Sequence, residues 1–211
     1  ETWAALGPSI AGLSDSALGA IRGYDGNTVN GQALAYNQVL SAAQVTALGS
    51  KIGSLNTGAI ANLSISAVGV LSDTQVDALS QAQVTALGTK VSSLSISGMA
   101  SLDAAQLGGA TLSALSAAQL TALTAAQLGA VTASQIGALT AVQITALGND
   151  VSGLSAVAVG GLSAAQLSSA TLNALSNTQL AALTVEQLIS VTAVQVSTLT
   201  GGQVTALGND V

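Results

Sequence analysis

Thirteen times this chain sets a Gln three residues after a hydroxyl or carboxylate side chain. Gln44, Gln75, Gln83, Gln106, Gln119, Gln127, Gln135, Gln143, Gln166, Gln179, Gln187, Gln195 and Gln203 each follow a Ser, a Thr or, once, Asp103. A hydroxyl beside an amide could hold a polar ligand, and a Ser or Thr could serve as a nucleophile. Nucleophilic use needs a base to take the proton, and the sequence contains no His and no Cys. That removes a His-containing triad, an imidazole base, imidazole and thiolate metal sites and a disulfide scaffold. Asp73 and Asp77 stand four apart but read as two exposed acids on a short helix. The LGND at Leu147 and Leu207 is similar to glycine–aspartate calcium nonapeptides, yet it comes only twice, without the tandem glycines such a site requires. Neither GK[ST] nor GxGxxG occurs. The expectation is a protein without catalytic residues, cofactor or metal.

The spacing has a structural reading instead. Ser or Thr followed three residues later by Gln is a capping box: the hydroxyl accepts from the Gln backbone N–H, and the Gln side chain reaches back to the cap N–H. Counting each leading Leu or Val as position zero, position five is Leu, Ile or Val in all thirteen cases and position seven is small. Positions zero and five are then the two halves of a hydrophobic staple. Asp15, Asp73, Asp103 and Glu186 fall at the cap or in the first turn, where the helix dipole favours a carboxylate; Asp77 does not.

The stretch LSAAQLTALTAAQLGAVTASQIGALTAVQITAL repeats this unit every eight residues. One long helix does not fit, because eight residues advance about 800° and smear the leucines over every face. In an extended chain positions zero and five point to opposite faces, so a β-solenoid needs a bend inside each octad. A fresh short helix every eight residues accounts for each fixed position. Gly108, Gly129 and Gly137 disfavour helix and are expected where neighbouring turns approach closely.

A larger repeat of 60 residues contains the small one, from Leu87 to Leu147 and again from Leu147 to Leu207, with a shorter copy from Leu48 to Leu87. GTKVSSLSISGMASLDAAQLGGATLSAL aligns without a gap on GNDVSGLSAVAVGGLSAAQLSSATLNAL. Helices of one or two turns are unstable alone, so stability must come from stacking, as in repeat proteins whose units contact only their neighbours. The predicted fold is all-α: a solenoid of short capped helices over residues 40–211, of either hand, with the β-solenoid as alternative. Residues 1–39 hold all three aromatics (Trp3, Tyr24, Tyr36) and the single Pro and break the period, which suggests an N-terminal cap or assembly segment.

Three basic residues against nine acidic ones disfavour nucleic acid and anionic membranes. Mean hydropathy is positive at +0.63, but Ser, Thr and Gln interrupt every apolar run, so no membrane span is expected. With Glu1 in place of an initiator Met, the sequence reads as a mature product or an excised piece. The seven-residue steps carry Lys51 and Lys90 first and Asp150 and Asp210 later. These are solvated surface or, with Trp3, contacts for head-to-tail stacking of subunits.

The run LTAAQLGAVTASQIGALTAVQITAL resembles the L-[ST]-x-x-Q-[ILV]-x-A arrays of large, Cys-free, Ala- and Thr-rich bacterial surface or secreted adhesin-like repeat proteins, over about residues 40–211. The resemblance implies an extracellular or cell-surface structural element, a fibre or adhesin stalk whose main partner is itself. The alternative is a repeat-based binding module for polysaccharide or a protein; with aromatics nearly absent, few side chains could stack on sugars.

Overall fold

A computed structural model describes residues 3–21, 28–29, 32–33, 40–109 and 112–208. The fold is all-α. Its described strand content is a ribbon in which Thr28–Val29 pairs antiparallel with Gln32–Ala33. The octads are helical, so the β-solenoid alternative does not hold.

Each octad closes the same set of local bonds. In the one led by Leu71, Ser72 sits in the extended region (φ −74°, ψ 162°) and caps the helix Asp73–Asp77. The Val76 N–H donates to Ser72 O at 2.9 Å, and the N–H of the next leading residue, Leu79, donates back to Val76 O at 3.1 Å. That second bond ends the helix after little more than one turn and returns the chain to the next cap. The step therefore has a fixed length because each leading aliphatic is both the end of one helix and the staple of the next.

Seven-residue steps use a different device. Gly49, Gly88 and Gly148 adopt φ of 52°, 55° and 52°, a left-handed conformation that side chains strongly disfavour. Short 3₁₀ segments, Gly49–Ser54, Gly88–Ser93 and Gly148–Gly153, follow them. Gly7 has the same conformation (φ 48°) inside Trp3–Gly12. Leu13 N–H donates to Ile10 O at 3.1 Å, as Leu154 does to Val151. Ile10, Leu18 and Ile21 are fully buried. The repeat's conformation thus begins well before residue 40, and GPSIAGLS is a further copy of GNDVSGLS that sequence inspection missed.

The structure divides into two compact units, Glu1–Ala114 and Leu115–Val211. In the first, Ala42–Leu48 packs on Ile65–Gly69, Thr57–Ala61 on Gln81–Leu87, Ile65–Gly69 on Gly88–Ser93, and Asp73–Asp77 on Ile96–Ser101. In the second, Ala117–Leu120 packs on Ala141–Leu147, Ala125–Ala130 on Gly148–Gly153, and Ala133–Gly137 on Ala156–Val159. The starts of these partners lie 23 or 24 residues apart, the length of three steps. The 13-residue spacing from Leu162 to Leu175 resolves into two starts, because Ser163 and Ser168 both cap. Its five-residue first step shortens the local offset to 21, as in Ala156–Val159 on Asn177–Leu180.

Positions zero and five form the core of both units: Leu71, Val76, Leu79, Val84 and Leu87 in one, Leu123, Leu128, Val131, Ile136 and Leu139 in the other, are all buried. Each such side chain contributes roughly 1.5–3 kcal/mol on removal from water. Of the glycines expected at close approaches, Gly137 fits, since a Cβ there would lie 3.0 Å from Gly161 O; at Gly129 the contact is an ordinary 3.7 Å. Gly108 lies outside the residues whose side chains are described. The tightest approach is at Gly161, where a Cβ would meet Ala133 O at 2.1 Å.

Candidate functional site

The capping boxes form throughout. Ser176 N–H donates to Gln179 Oε1 at 2.8 Å, and Gln179 N–H donates to Ser176 Oγ at 3.3 Å. Asp103 performs the same exchange with Gln106, at 2.6 and 2.7 Å. The Ser and Thr that might have been nucleophiles accept hydrogen bonds from helix starts.

The Gln side chains have a second task. Their Nε2 groups cross to backbone carbonyls 25 to 31 residues earlier in the chain. Gln75 donates to Val45 O at 2.6 Å, Gln83 to Leu55 O at 2.6 Å and Gly53 O at 3.0 Å. Gln106 donates to Asp77 O at 3.0 Å and also to Leu79 O. In the second unit Gln143 reaches Leu115 O at 3.0 Å, Gln166 reaches Ile136 O and Leu139 O at 3.0 and 2.6 Å, and Gln179 reaches Val151 O and Leu154 O at 2.9 and 2.8 Å. Gln187, Gln195 and Gln203 continue the series. Most of these Gln are buried, and a buried amide has to satisfy both its ends. Among the described residues no buried side-chain nitrogen or oxygen lacks a partner.

This second role was readable in principle. A capping box accepts Glu as well as Gln, and the positive first turn favours Glu. The chain nevertheless uses Gln thirteen times and Glu never, because only the amide keeps a donor for the neighbouring turn. Asn56 combines both tasks from the cap position itself: its Oδ1 accepts from Ala59 N–H at 2.9 Å, and its Nδ2 donates to Gly19 O at 3.0 Å and to Ile21 O. Where an octad lacks Gln, its place is taken by a small residue, buried at Ala59, Ala67, Gly98 and Ala158 and capped by Asn56, Ser64, Ser95 and Ser155.

The residues expected to mediate assembly are dispersed. Lys51 Nζ donates to Ala11 O and Leu13 O at 2.9 and 3.1 Å, and Lys90 Nζ to Leu63 O at 2.9 Å and to Ala61 O. Both ammonium groups thus satisfy carbonyls at the ends of earlier helical segments, a favourable place for a cation. Asp150, in the matching position, is exposed. Trp3 opens the segment Trp3–Gly12, with its side chain outside the described residues, and Asp210 lies outside them altogether. Asp73 and Asp77 are both exposed. Among the described residues no group of three acidic side chains could hold a metal ion, and no helix is long and apolar enough to cross a membrane.

Comparison with protein families, with curated proteins and with solved structures gave no match.

Proposed function

We propose that the chain is a solenoid of short capped helices, three steps to a coil, and that it serves as a structural element of the bacterial cell surface or extracellular matrix, a fibre or adhesin stalk extended by self-association. The observation that carries this reading is the series of Gln side chains that cap their own helix while bonding the coil before it. Such a series ties coil to coil through backbone atoms, so it tolerates sequence change elsewhere and can be lengthened by whole repeats. Antibody labelling of intact source cells, with electron microscopy of the released material, tests the proposal: surface labelling on filaments or stalks is expected, and labelling only after lysis would refute the location.

A repeat-based binding module is the second reading. The groove lined by Ala141, Val142, Thr145, Ala146, Ala165 and Ser168 is the observation in its favour. It offers two hydroxyls and an exposed Val142, a surface for a small polar and apolar ligand. Retention of the chain on a polysaccharide or a partner, abolished by Val142→Asp, would favour it.

A further inference from the structure

In the second unit the side-chain ties that reach back to earlier carbonyls are unevenly supplied. Grouped three steps at a time, as the stacked-coil reading groups them, residues 184–207 send back Gln187 to Leu162 O, Gln195 to Leu167 O and Gln203 to Leu175 O. Residues 163–183 send back Gln166 to Leu139 O and Gln179 to Leu154 O, while in their remaining step Thr171 turns to Ser168 Oγ at 2.9 Å. Residues 140–162 hold a single Gln, Gln143, which reaches Leu115 O at 3.0 Å. In their other two steps the matching places are taken by Asp150 and Ala158.

Neither residue can do the work of Gln. Ala158 has no side-chain donor, and a carboxylate only accepts. The loss at Asp150 is specific, because the same position in the first unit is a tie. Lys90 and Asp150 each lie two residues after the positive-φ glycine of a seven-residue step, Gly88 at 55° and Gly148 at 52°. Lys90 Nζ donates at 2.9 Å to Leu63 O, 27 residues earlier, and Lys51 Nζ donates at 3.1 Å to Leu13 O. The same 27-residue offset from Asp150 leads to Leu123. Leu123 N–H donates to Leu120 O at 3.2 Å as Leu63 N–H does to Ile60 O at 3.1 Å, so the two carbonyls end the same kind of turn. A cation is favoured at such an end and a carboxylate is not. Apart from Gln143, residues 140–162 are held to 116–139 by packing: a Cβ at Gly153 would lie 3.3 Å from Leu128, and one at Gly161 would meet Ala133 O at 2.1 Å.

We propose that the seam between residues 116–139 and 140–162 is a yielding point built into the second unit, the internal place at which its stack parts first, and that Asp150 sets it by occupying the position from which a lysine would tie Leu123 O. Parting there separates Leu128 from Gly153 and leaves the more heavily tied seams after it closed, as a local opening of lower free energy than the rest. In a stalk, such a point confines the first extension to one place and lets it close again. The inference rests on the stacked-coil reading above and adds to it a fixed order of opening.

Amide hydrogen exchange on the full chain, with Asp150→Lys and Asp150→Ala, tests it. Asp150 is exposed, so both variants should keep the helical circular dichroism spectrum. In the unsubstituted chain the N–H groups of Leu128 and Ile136, bonded to Thr124 O and Thr132 O, should exchange faster than those of Leu172 and Leu180, bonded to Ser168 O and Ser176 O. Asp150→Lys should slow the first pair about three- to tenfold, the effect of one partly exposed tie, and leave the second pair unchanged. Asp150→Ala, which removes the carboxylate without supplying a donor, should slow the first pair less. The reverse exchange, Lys90→Asp, should speed exchange at Val68 N–H, on the helix that packs against Gly88–Ser93. Equal exchange of the two pairs in the unsubstituted chain, slowing of both pairs alike, or no slowing by Asp150→Lys beyond that of Asp150→Ala would overturn the assignment. If Gln179→Glu still destabilises the chain strongly in that case, the stacked coils stand and the yielding point alone is lost.

Discussion

Replacing Gln179 by Glu separates its two tasks. Glu keeps the oxygen that accepts from Ser176 N–H and puts a carboxylate at a helix start, which for a capping role alone is neutral or stabilising by about 0.3–1 kcal/mol. The carbonyls it reaches see the opposite. Gln179 is 3% exposed, and its Nε2 donates to Val151 O and Leu154 O at 2.9 and 2.8 Å. Val151 O keeps a second partner in Leu154 N–H, but both carbonyls would face a carboxylate oxygen in a desolvated site. Losing a partner to a buried acceptor costs about 1–3 kcal/mol and a charged group costs more, so a net loss of about 2–4 kcal/mol is expected. For a chain of this size that lowers the melting temperature by roughly 5–15 °C, read by circular dichroism. The sign with pH follows. The buried carboxyl's folded-state pKa rises above the unfolded value of about 4.3, so the loss grows as pH rises from that unfolded value, is complete above the raised pKa, and disappears below the unfolded value. Stability equal to or above that of the unsubstituted chain at neutral pH would refute the cross-coil role.

Other outcomes follow from the same structure. Gly148→Ala should cost about 1–3 kcal/mol because φ of 52° is forced on a side chain, whereas Gly201→Ala, with open space at the start of a helix, should stabilise by up to about 1 kcal/mol; paired urea titrations would show opposite shifts. Leu128→Ala should cost about 2–5 kcal/mol as a buried core truncation, and its equivalent Leu188→Ala markedly less, since Leu188 is already partly in water; equal losses would contradict that difference in burial. Lys90→Met should cost about 0.5–1 kcal/mol through the hydrogen bonds to Leu63 O and Ala61 O, a figure lowered by its partial exposure; a stabilised variant would show those bonds to be idle.

Much of the fold was legible because each octad carries a complete local instruction. The cap, the box and the staple all lie within eight residues, and local hydrogen bonds need no knowledge of the octads packed alongside. The offset of three steps was not legible, since it depends on how turns of several octads close in space. Two steps were misread for definite reasons. The 13-residue spacing hides a second cap at Ser168 because Thr171 replaces Gln there, and the copy at Gly7 hides because Pro8 and Ser9 stand where Lys51 and Lys90 have their neighbours and charges. The internal bonds of Lys51 and Lys90 are hidden in the sequence, where both residues fit solvated surface or subunit contacts equally, because their acceptors are backbone carbonyls, which no side-chain pattern announces. The Gln was read as a cap alone, although its consistent preference over Glu already pointed to a donor in use.

Small-angle X-ray scattering on the full chain and on a chain lacking residues 148–207 measures the stacking directly. That deletion removes one 60-residue copy and joins Leu147 to Gly208, preserving the LGND sequence. With coils added along one direction, the shortened chain keeps its helical signal per residue and its cross-sectional radius while its longest dimension falls. Loss of helical structure, or a cross-section that shrinks together with the length, would contradict a chain built of stacked coils.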